Sequence, residues 1–454
     1  MCGVIGVRGA SRNTEASILA YLGSYAQQHR GQESAGIVSS DGEELYEEVG
    51  MGRVNDFFTK ERLARLPGHL AIGHNRYATT GASEEKNAQP LLIDCMHGRV
   101  ALAHNGNLVN TEQIRDELVR SGVLFKTTTD TEIILQLMAR SCAGDLTSCL
   151  TDALKQVEGA YSLIVMSARE MIAVRDPRGF RPLCLGRLPD GGHVFVSETC
   201  ALDLIEAEYV RDILPGEMVS LRVDGIQSFF PFETQTHRPC LFELIYFSRP
   251  DSMVFNHSVY VIRKAFGRQL AREAPVFADV VVPVPDSGVP AALGYSEESG
   301  IPFELGLTRN HYVGRTFIEP VQTIRHFGVK VKHNPVRSVF AGKRVVVVDD
   351  SIVRGTTSKK LVEMARRAGA REVHMRISSP PPREPCLYGI DTPTREGYIA
   401  NRFTIEEIRR YIDADSLQYL SYDGMLAIAQ STPQTYCTTC WTGKHPMPIH
   451  NLSP

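Results

Sequence analysis

The second residue of the chain is a cysteine, and a residue that small after Met1 generally allows the initiator to be removed, leaving Cys2 with a free α-amine. An α-amine titrates at roughly 7.7 to 8.0, so near neutral pH much of it is unprotonated and can act as base for its own thiol, with no separate histidine required. A second constellation lies far downstream. Arg344-Val345-Val346-Val347-Val348-Asp349-Asp350-Ser351-Ile352-Val353-Arg354-Gly355-Thr356-Thr357-Ser358 runs from a hydrophobic strand into two acids, a glycine turn, hydroxyl residues and a helix. That order gathers N–H groups and hydroxyls at a helix N-terminus, where the dipole favours an anion such as a 5′-phosphate. The two carboxylates stand at the carboxyl end of the strand, where open α/β sheets bind ligands, and can accept hydrogen bonds from ribose hydroxyls. It is not a nucleotide P-loop, because Gly342-Lys343 comes before the strand. A third feature, Cys437-Thr438-Thr439-Cys440, has metal-ligand spacing; alone it suits a redox motif or half a zinc site.

The elements that must hold these residues change character along the chain. Up to about residue 230, short apolar runs at 2–7, 69–72, 100–103 and 161–166 alternate with Gly-rich turns and read as strands. Segments 16–28 and 131–143 between them have helical spacing, so the amino half is predicted to be a mixed sheet-and-helix layer fold. Residues 231–239, with Pro, Thr and Gln, suit a linker. Beyond it come strand-then-helix units: 279–283 with 289–299, 344–348 with 357–368, then 372–377. Continuous β-branched runs mark strands buried on both faces, which predicts a doubly wound α/β unit with a parallel sheet. The expected division is 2–232 and 233–454, in keeping with the two to three domains that 454 residues suggest.

Composition narrows the class. With 43% hydrophobic and 22% charged residues and a net charge of -3, the chain reads as soluble and globular, without the electrostatic footprint of a nucleic-acid binder. The start has no basic segment followed by an apolar run, and nowhere do about 18 apolar residues follow one another, so neither secretion nor membrane spanning is expected. Ten cysteines in a chain this long are no disulfide framework; a cytoplasmic protein with reduced thiols is the expectation.

The opening Met1-Cys2-Gly3-Val4-Ile5-Gly6 is joined by Gln28-His29-Arg30-Gly31-Gln32-Glu33-Ser34-Ala35-Gly36, Gly73-His74-Asn75-Arg76-Tyr77-Ala78-Thr79, Ala103-His104-Asn105-Gly106-Asn107 and Thr129-Asp130-Thr131-Glu132. Together these resemble the class II glutamine amidotransferases, which implies an N-terminal-nucleophile αββα layer fold with Cys2 as nucleophile. Asn105 and Gly106 take the oxyanion-hole positions, and an amide N–H at each suits a tetrahedral oxyanion. Arg76 and Asp130 match the residues for the carboxylate and ammonium of glutamine, with Gly31 and Thr79 on matching segments.

The Asp349–Ser358 segment resembles the signature of type I phosphoribosyltransferases, in the form found in the glutamine amidophosphoribosyltransferase family. The resemblance implies that Asp349, Asp350, Ser351, Arg354, Gly355, Thr356, Thr357 and Ser358 hold phosphoribosyl pyrophosphate. Pro283-Val284-Pro285-Asp286-Ser287-Gly288 is similar to the family's pyrophosphate loop, and Ser287, Asp349 and Asp350 become the neighbours of Mg2+, a hard cation suited to oxygen ligands. Between these loops, Arg309 to Ile318 and the basic residues Arg325, His326, Lys330, Lys332, His333, Arg337 and Lys343 match a lid that closes over substrate. One branch of the family carries a [4Fe-4S] cluster, and its ligand contexts are matched by Cys240, Cys386, Cys437 and Cys440. Cys95, Cys142, Cys149, Cys184 and Cys200 match no functional position and are expected to pack.

These likenesses imply that ammonia released from glutamine at Cys2 attacks the anomeric carbon in the second half, with Tyr77 as a relay between them. They also imply feedback by purine nucleotides and a homo-oligomer, tetramer or dimer. Two rival readings are a glutaminase serving another acceptor, which the Asp349–Ser358 segment disfavours, and a non-catalytic binder of phosphoribosyl pyrophosphate or nucleotides, which intact Cys2, Asn105 and Arg76 disfavour.

Overall fold

A computed structural model of the protein describes residues 1–77, 81–95, 98–310, 333–429 and 435–449. In the amino half the strands are, in chain order, Gly3–Arg8 (β1), Ser34–Ser40 (β2), Leu45–Met51 (β3), Leu70–Arg76 (β4), Leu91–Cys95 (β5), Gly98–Leu108 (β6), Gly159–Met166 (β7), Met171–Arg175 (β8), Cys184–Arg187 (β9), His193–Val196 (β10), Glu208–Asp212 (β11), Met218–Arg222 (β12) and Gly225–Phe229 (β13). They form two antiparallel sheets, ordered β11-β9-β10-β1-β4-β2-β3 and β13-β12-β8-β7-β6-β5.

Period-two burial stacks these sheets. Val4, Val38 and Ile72 of one sheet meet Ala101, Ala103 and Ile164 of the other. The alternate positions of the same strands face outward onto helices: Ile5 and Ile37 pack with helix Ala16–Ala26 (α1), and Leu102, Leu163 and Val165 with helix Thr131–Arg140 (α2). Both faces of the central strands are therefore apolar, and the result is the expected αββα layering.

In the carboxyl half, Val280–Pro283 (β14), Arg344–Asp349 (β15), Glu372–Ile377 (β16) and Ser416–Tyr419 (β17) form a parallel sheet in sequential order. Val281, Val346 and Val348 face the helices Val259–Glu273 (α3) and Val289–Ser299 (α4), while Val280, Val345 and Val347 face Thr356–Arg367 (α5) and Ile405–Ile412 (α6). Helices α3 and α4 touch backbone to backbone: a Cβ on Gly267 would lie 1.8 Å from the Ala291 carbonyl oxygen, and one on Gly294 would lie 1.9 Å from that of Lys264. The α/β unit is as expected, except that β17 was not anticipated; Ser-Leu-Gln-Tyr is too short and too polar to stand out as a strand. Among the described residues no helix is long and apolar enough to cross a membrane.

Candidate active site

Two sheets converge on the amino-terminal cysteine. The β1–β4 register pairs Gly3 with Asn75, which sets Arg76 across from Cys2, while β6 of the second sheet brings up Asn105. The Cys2 backbone N–H donates to Asn105 Oδ1 at 3.1 Å, and the Cys2 Sγ lies 3.6 Å from the Tyr77 carbonyl oxygen. With its oxygen so engaged, the buried Asn105 Nδ2 has no hydrogen-bond partner among the described residues. Leaving such a donor buried and unsatisfied costs about 1–3 kcal/mol, so it is suited to an anion that arrives during reaction. Gly106 follows because a Cβ there would fall 2.0 Å from the Ala160 carbonyl oxygen of the neighbouring strand.

Arg76 is buried, with Nη1 3.4 Å from Glu33 Oε2 and Nη2 3.4 Å from the Gly81 carbonyl oxygen. Asp130 stands at the start of α2, where its Oδ2 accepts from the Leu108 N–H at 2.9 Å. Gly31 lets its loop lie against the end of β4, since a Cβ there would sit 2.5 Å from the Asn75 carbonyl oxygen. Thr79 lies outside the described residues. Two of the motif histidines, His74 and His104, are buried: His74 Nε2 is 3.0 Å from the His104 carbonyl oxygen, across the two sheets, and burial pulls its imidazole down to about 3.

In the carboxyl half, β14 and β15 end side by side, so the loops leaving them meet. Ser287 donates to Asp350 Oδ1 at 2.6 Å, Ser351 donates to Asp350 Oδ2 at 2.5 Å, and the Asp350 N–H donates to Asp349 Oδ1 at 2.9 Å. Burial pushes the carboxyls of both Asp349 and Asp350 up, and the Asp350 charge adds to the effect on Asp349. Gly355, with φ +75°, turns the chain in the left-handed region that glycine favours into Thr356, Thr357 and Ser358, the first residues of α5. Arg354 and Ser351 line one cavity with Asp349 and Asp350. The basic stretch is anchored beside this loop: Leu307–Arg309 pairs antiparallel with His333–Pro335, Arg309 forms an ion pair with Asp286, and His333 Nε2 is 3.3 Å from the Pro285 carbonyl oxygen. Arg325, His326, Lys330 and Lys332 lie outside the described residues.

Cys240, Cys386, Cys437 and Cys440 line one cavity and form no disulfide. Cys240 and Cys437 are bridged backbone to backbone, and the N–H groups of Arg383 and Glu384 donate to the Cys440 carbonyl oxygen at 2.8 and 3.1 Å. Burial pushes the Cys240 thiol up to about 12 and raises those of Cys437 and Cys440. Among the described residues no group of three or more His, Cys, Asp or Glu side chains is placed to hold a metal ion.

A glutamine amidotransferase domain profile matches residues 74–204. The chain is 51% identical over 447 residues to the chloroplastic amidophosphoribosyltransferase 1 of Arabidopsis thaliana, covering 98% of this chain and 78% of that protein. The chain belongs to the amidophosphoribosyltransferase family. Two solved structures share this fold throughout. One, of an allosteric regulatory enzyme of purine biosynthesis, superposes with a TM-score of 0.94 at 46% identity over 100% of this chain and 98% of that one. The other, a glutamine phosphoribosylpyrophosphate amidotransferase from B. subtilis complexed with ADP and GMP, gives 0.92 at 46% identity over 99% and 98%. An amidophosphoribosyltransferase converts glutamine, phosphoribosyl pyrophosphate and water to 5-phosphoribosylamine, glutamate and pyrophosphate, the first step of purine biosynthesis.

Two features of this family member carry no motif in the sequence. A cavity of about 1420 Å³ is lined from the amino half by Glu33 and Tyr77 and from the carboxyl half by Asp350 and Thr356. Behind it runs a buried chain of charges: His29 to Glu198 at 2.8 Å, Glu198 to Arg30, Arg30 to Glu243 at 2.9 Å, and Glu243 to Arg181 at 3.5 Å. Arg30 Nε also donates to the Cys2 carbonyl oxygen at 2.9 Å, and Arg181 Nη2 lies 3.7 Å from Cys386 Sγ. Met1, fully buried, puts its Sδ 2.6 Å from Arg181 Nη1, and burial pulls its α-amine down to about 5.

Proposed function

We propose that Cys2, freed of Met1, is the nucleophile of the glutaminase reaction, with its own α-amine as base. The thiol sulfur attacks the carboxamide carbon while its proton passes to the amine; the tetrahedral oxyanion is met by Asn105 Nδ2 and the Gly106 N–H. Collapse expels ammonia, which takes the proton, and leaves a glutamyl thioester that water hydrolyses to glutamate. The reading is carried by the buried Asn105 amide, whose oxygen is held by the Cys2 nitrogen while its NH2 has no other use among the described residues. Arg76 and Asp130 bind the two charged ends of glutamine, helped by Gly31 and Thr79.

In the second half, Asp349 and Asp350 receive the ribose hydroxyls, and Ser351, Arg354, Gly355, Thr356, Thr357 and Ser358 cradle the 5′-phosphate. Ammonia attacks the anomeric carbon as pyrophosphate leaves. Mg2+ suits Ser287, Asp349 and Asp350, a buried pair of acids with a hydroxyl between them and the pyrophosphate loop, and it would neutralise charge on pyrophosphate. The boundary at 232/233 is supported by the end of the last amino-half strand at Phe229.

For the cysteine quartet we favour a [4Fe-4S] cluster. Cys240, Cys386, Cys437 and Cys440, which line one cavity and form no disulfide, would supply the four thiolates that such a cluster needs. Arg181 supports this reading: a fully buried guanidinium whose Nη2 lies 3.7 Å from Cys386 Sγ would offset negative charge on a bound cluster. Cytoplasmic residence, a homodimer or homotetramer, and inhibition by purine nucleotides complete the reading, the last supported by the ADP and GMP bound in the B. subtilis relative.

The decisive experiment follows pyrophosphate release with glutamine or with ammonia as nitrogen donor. Cys2→Ala is expected to lose the first and keep the second; a variant that still used glutamine would refute the assignment.

A further inference from the structure

The amide-hydrolysing site contains a part that comes from the other half of the chain. The segment following Cys386 lies directly on the oxyanion strand. Leu387 accepts a hydrogen bond from Asn107 Nδ2 through its carbonyl oxygen at 3.0 Å, and Gly389 sits against Gly106 so closely that a Cβ on Gly389 would fall 2.9 Å from the Gly106 carbonyl carbon and oxygen. The segment is clamped from behind. Arg181, fully buried, donates from Nε and Nη2 to the Tyr388 carbonyl oxygen at 2.8 and 2.5 Å, and the Phe180 ring stacks on Tyr388 with centroids 4.4 Å apart and planes 11° from parallel. Its continuation, Ile390, Asp391 and Thr392, lines the cavity shared with Asp350 and Thr356.

We infer that Gly389 and Arg181 are positioning residues for glutamine hydrolysis: they hold the Gly106 N–H where the oxyanion forms. Neither touches the reacting atoms. The placement of a backbone N–H in a β-strand is fixed by what packs on its residue; Gly106 has the Ala160 carbonyl oxygen 2.0 Å from where its Cβ would stand, and Gly389 lies against its Cα and carbonyl. An oxyanion donor acts only within a narrow distance of the developing charge, so a shift of a few tenths of an ångström at Gly106 weakens the transition state more than the ground state. The inference rests on the assignment of Cys2, Asn105 and Gly106 made above.

The test is steady-state glutamine hydrolysis by the full chain carrying Gly389→Ala or Arg181→Lys. Gly389 has φ +106°, so alanine there both strains its own backbone and pushes on Gly106. Arg181→Lys leaves Gly389 unchanged and keeps a cation but loses the fork to Tyr388, giving an independent second route to the same displacement. Each is expected to lower kcat for glutamine about 10- to 100-fold with KM within about twofold, and to lower ammonia-dependent synthesis at least tenfold less. Alkylation of Cys2 by iodoacetamide, which forms no oxyanion, should proceed at the parental rate. If both variants keep kcat within about twofold of the parent, or if KM rises while kcat holds, the inference is overturned. Cys2→Ala, run alongside, separates the two failures: loss of hydrolysis there with full kcat in the other variants overturns only the positioning roles.

Discussion

Asn105 faces Cys2 with its oxygen and not its nitrogen: Oδ1 takes the Cys2 N–H at 3.1 Å, and the side-chain NH2 is the group left over. The same amide thus orients the nitrogen of the proposed nucleophile and presents a donor, and both depend on which way the amide points. Asn105→Ala should cut kcat for glutamine hydrolysis about 10²- to 10³-fold with little change in KM, the signature of an oxyanion donor. A larger effect on KM than on kcat, measured by glutamate release, would show that Asn105 binds substrate instead.

Asp349 is an acid held against its own solvation. Its carboxyl is pushed well above the usual range by burial and by the Asp350 charge, so folding must either ionise it at a cost or keep its proton. The folded value exceeds the unfolded one, so the destabilisation is absent below the unfolded pKa, near 3.8, and grows as pH rises toward the folded value. Asp349→Asn, which cannot ionise, should stabilise the ligand-free protein by about 0.5–2 kcal/mol at pH 8 and by much less at pH 4, while losing pyrophosphate release. Urea melts at the two pH values check the sign; equal shifts at both would mean the carboxyl is not perturbed.

Both candidate centres could be proposed from residue order because their parts lie in short local segments: a strand, a turn and a helix N-terminus in one case, and in the other the chain start together with four motif segments that follow it. The long-range parts were not. Arg30, Arg181, Glu198 and Glu243 are ordinary charged residues until folding buries them together, and nothing in local spacing tells a buried ion chain from a solvated face. Gly389 is equally silent, since its role depends on a strand 283 residues earlier in the chain. Strand β17 escaped because pairing with β16, and not its own pattern, makes it a strand. The five remaining cysteines divide: Cys149, Cys184 and Cys200 pack as expected, whereas Cys142 is exposed and Cys95 partly so.

Tyr77 has its carbonyl oxygen 3.6 Å from the Cys2 sulfur and lines the shared cavity, which suits the relay the family resemblance implies. Tyr77→Ala should preserve synthesis from ammonia while glutamine hydrolysis loses its dependence on phosphoribosyl pyrophosphate. The ratio of glutamate to phosphoribosylamine formed is the readout; a ratio equal to the parent's would remove Tyr77 from the relay.

The cysteine quartet makes a prediction that colour and stoichiometry check. Protein purified without oxygen should be brown and hold about four iron atoms per chain, and Cys437→Ser or Cys440→Ser should lower that content. A colourless, iron-free and fully active preparation would refute the cluster, and about one zinc per chain would assign the site to zinc.

Arg30 is the residue on which the buried chain of charges turns. Both its carboxylate partners, like Arg30 itself, are wholly buried, and it spans the two halves, with Glu198 from one and Glu243 from the other. Burial alone would raise the Glu243 carboxyl; Arg30, and behind it Arg181, bring it below its ordinary value instead. Arg30→Ala leaves Glu198 with His29 and Glu243 with the more distant Arg181, and strips the Cys2 carbonyl of its donor. Removing one member of a buried ion pair costs about 3–5 kcal/mol, and that loss is expected in urea melts at pH 7. Because these carboxyls are depressed in the folded parent, the stability they contribute is present above the unfolded value of 4.5 and falls away as pH drops below it. The gap between parent and Arg30→Ala should therefore narrow at pH 4, where the variant can protonate its stranded acids. A gap that stayed the same in acid would mean that Arg30 stabilises the fold through packing and not through its charge.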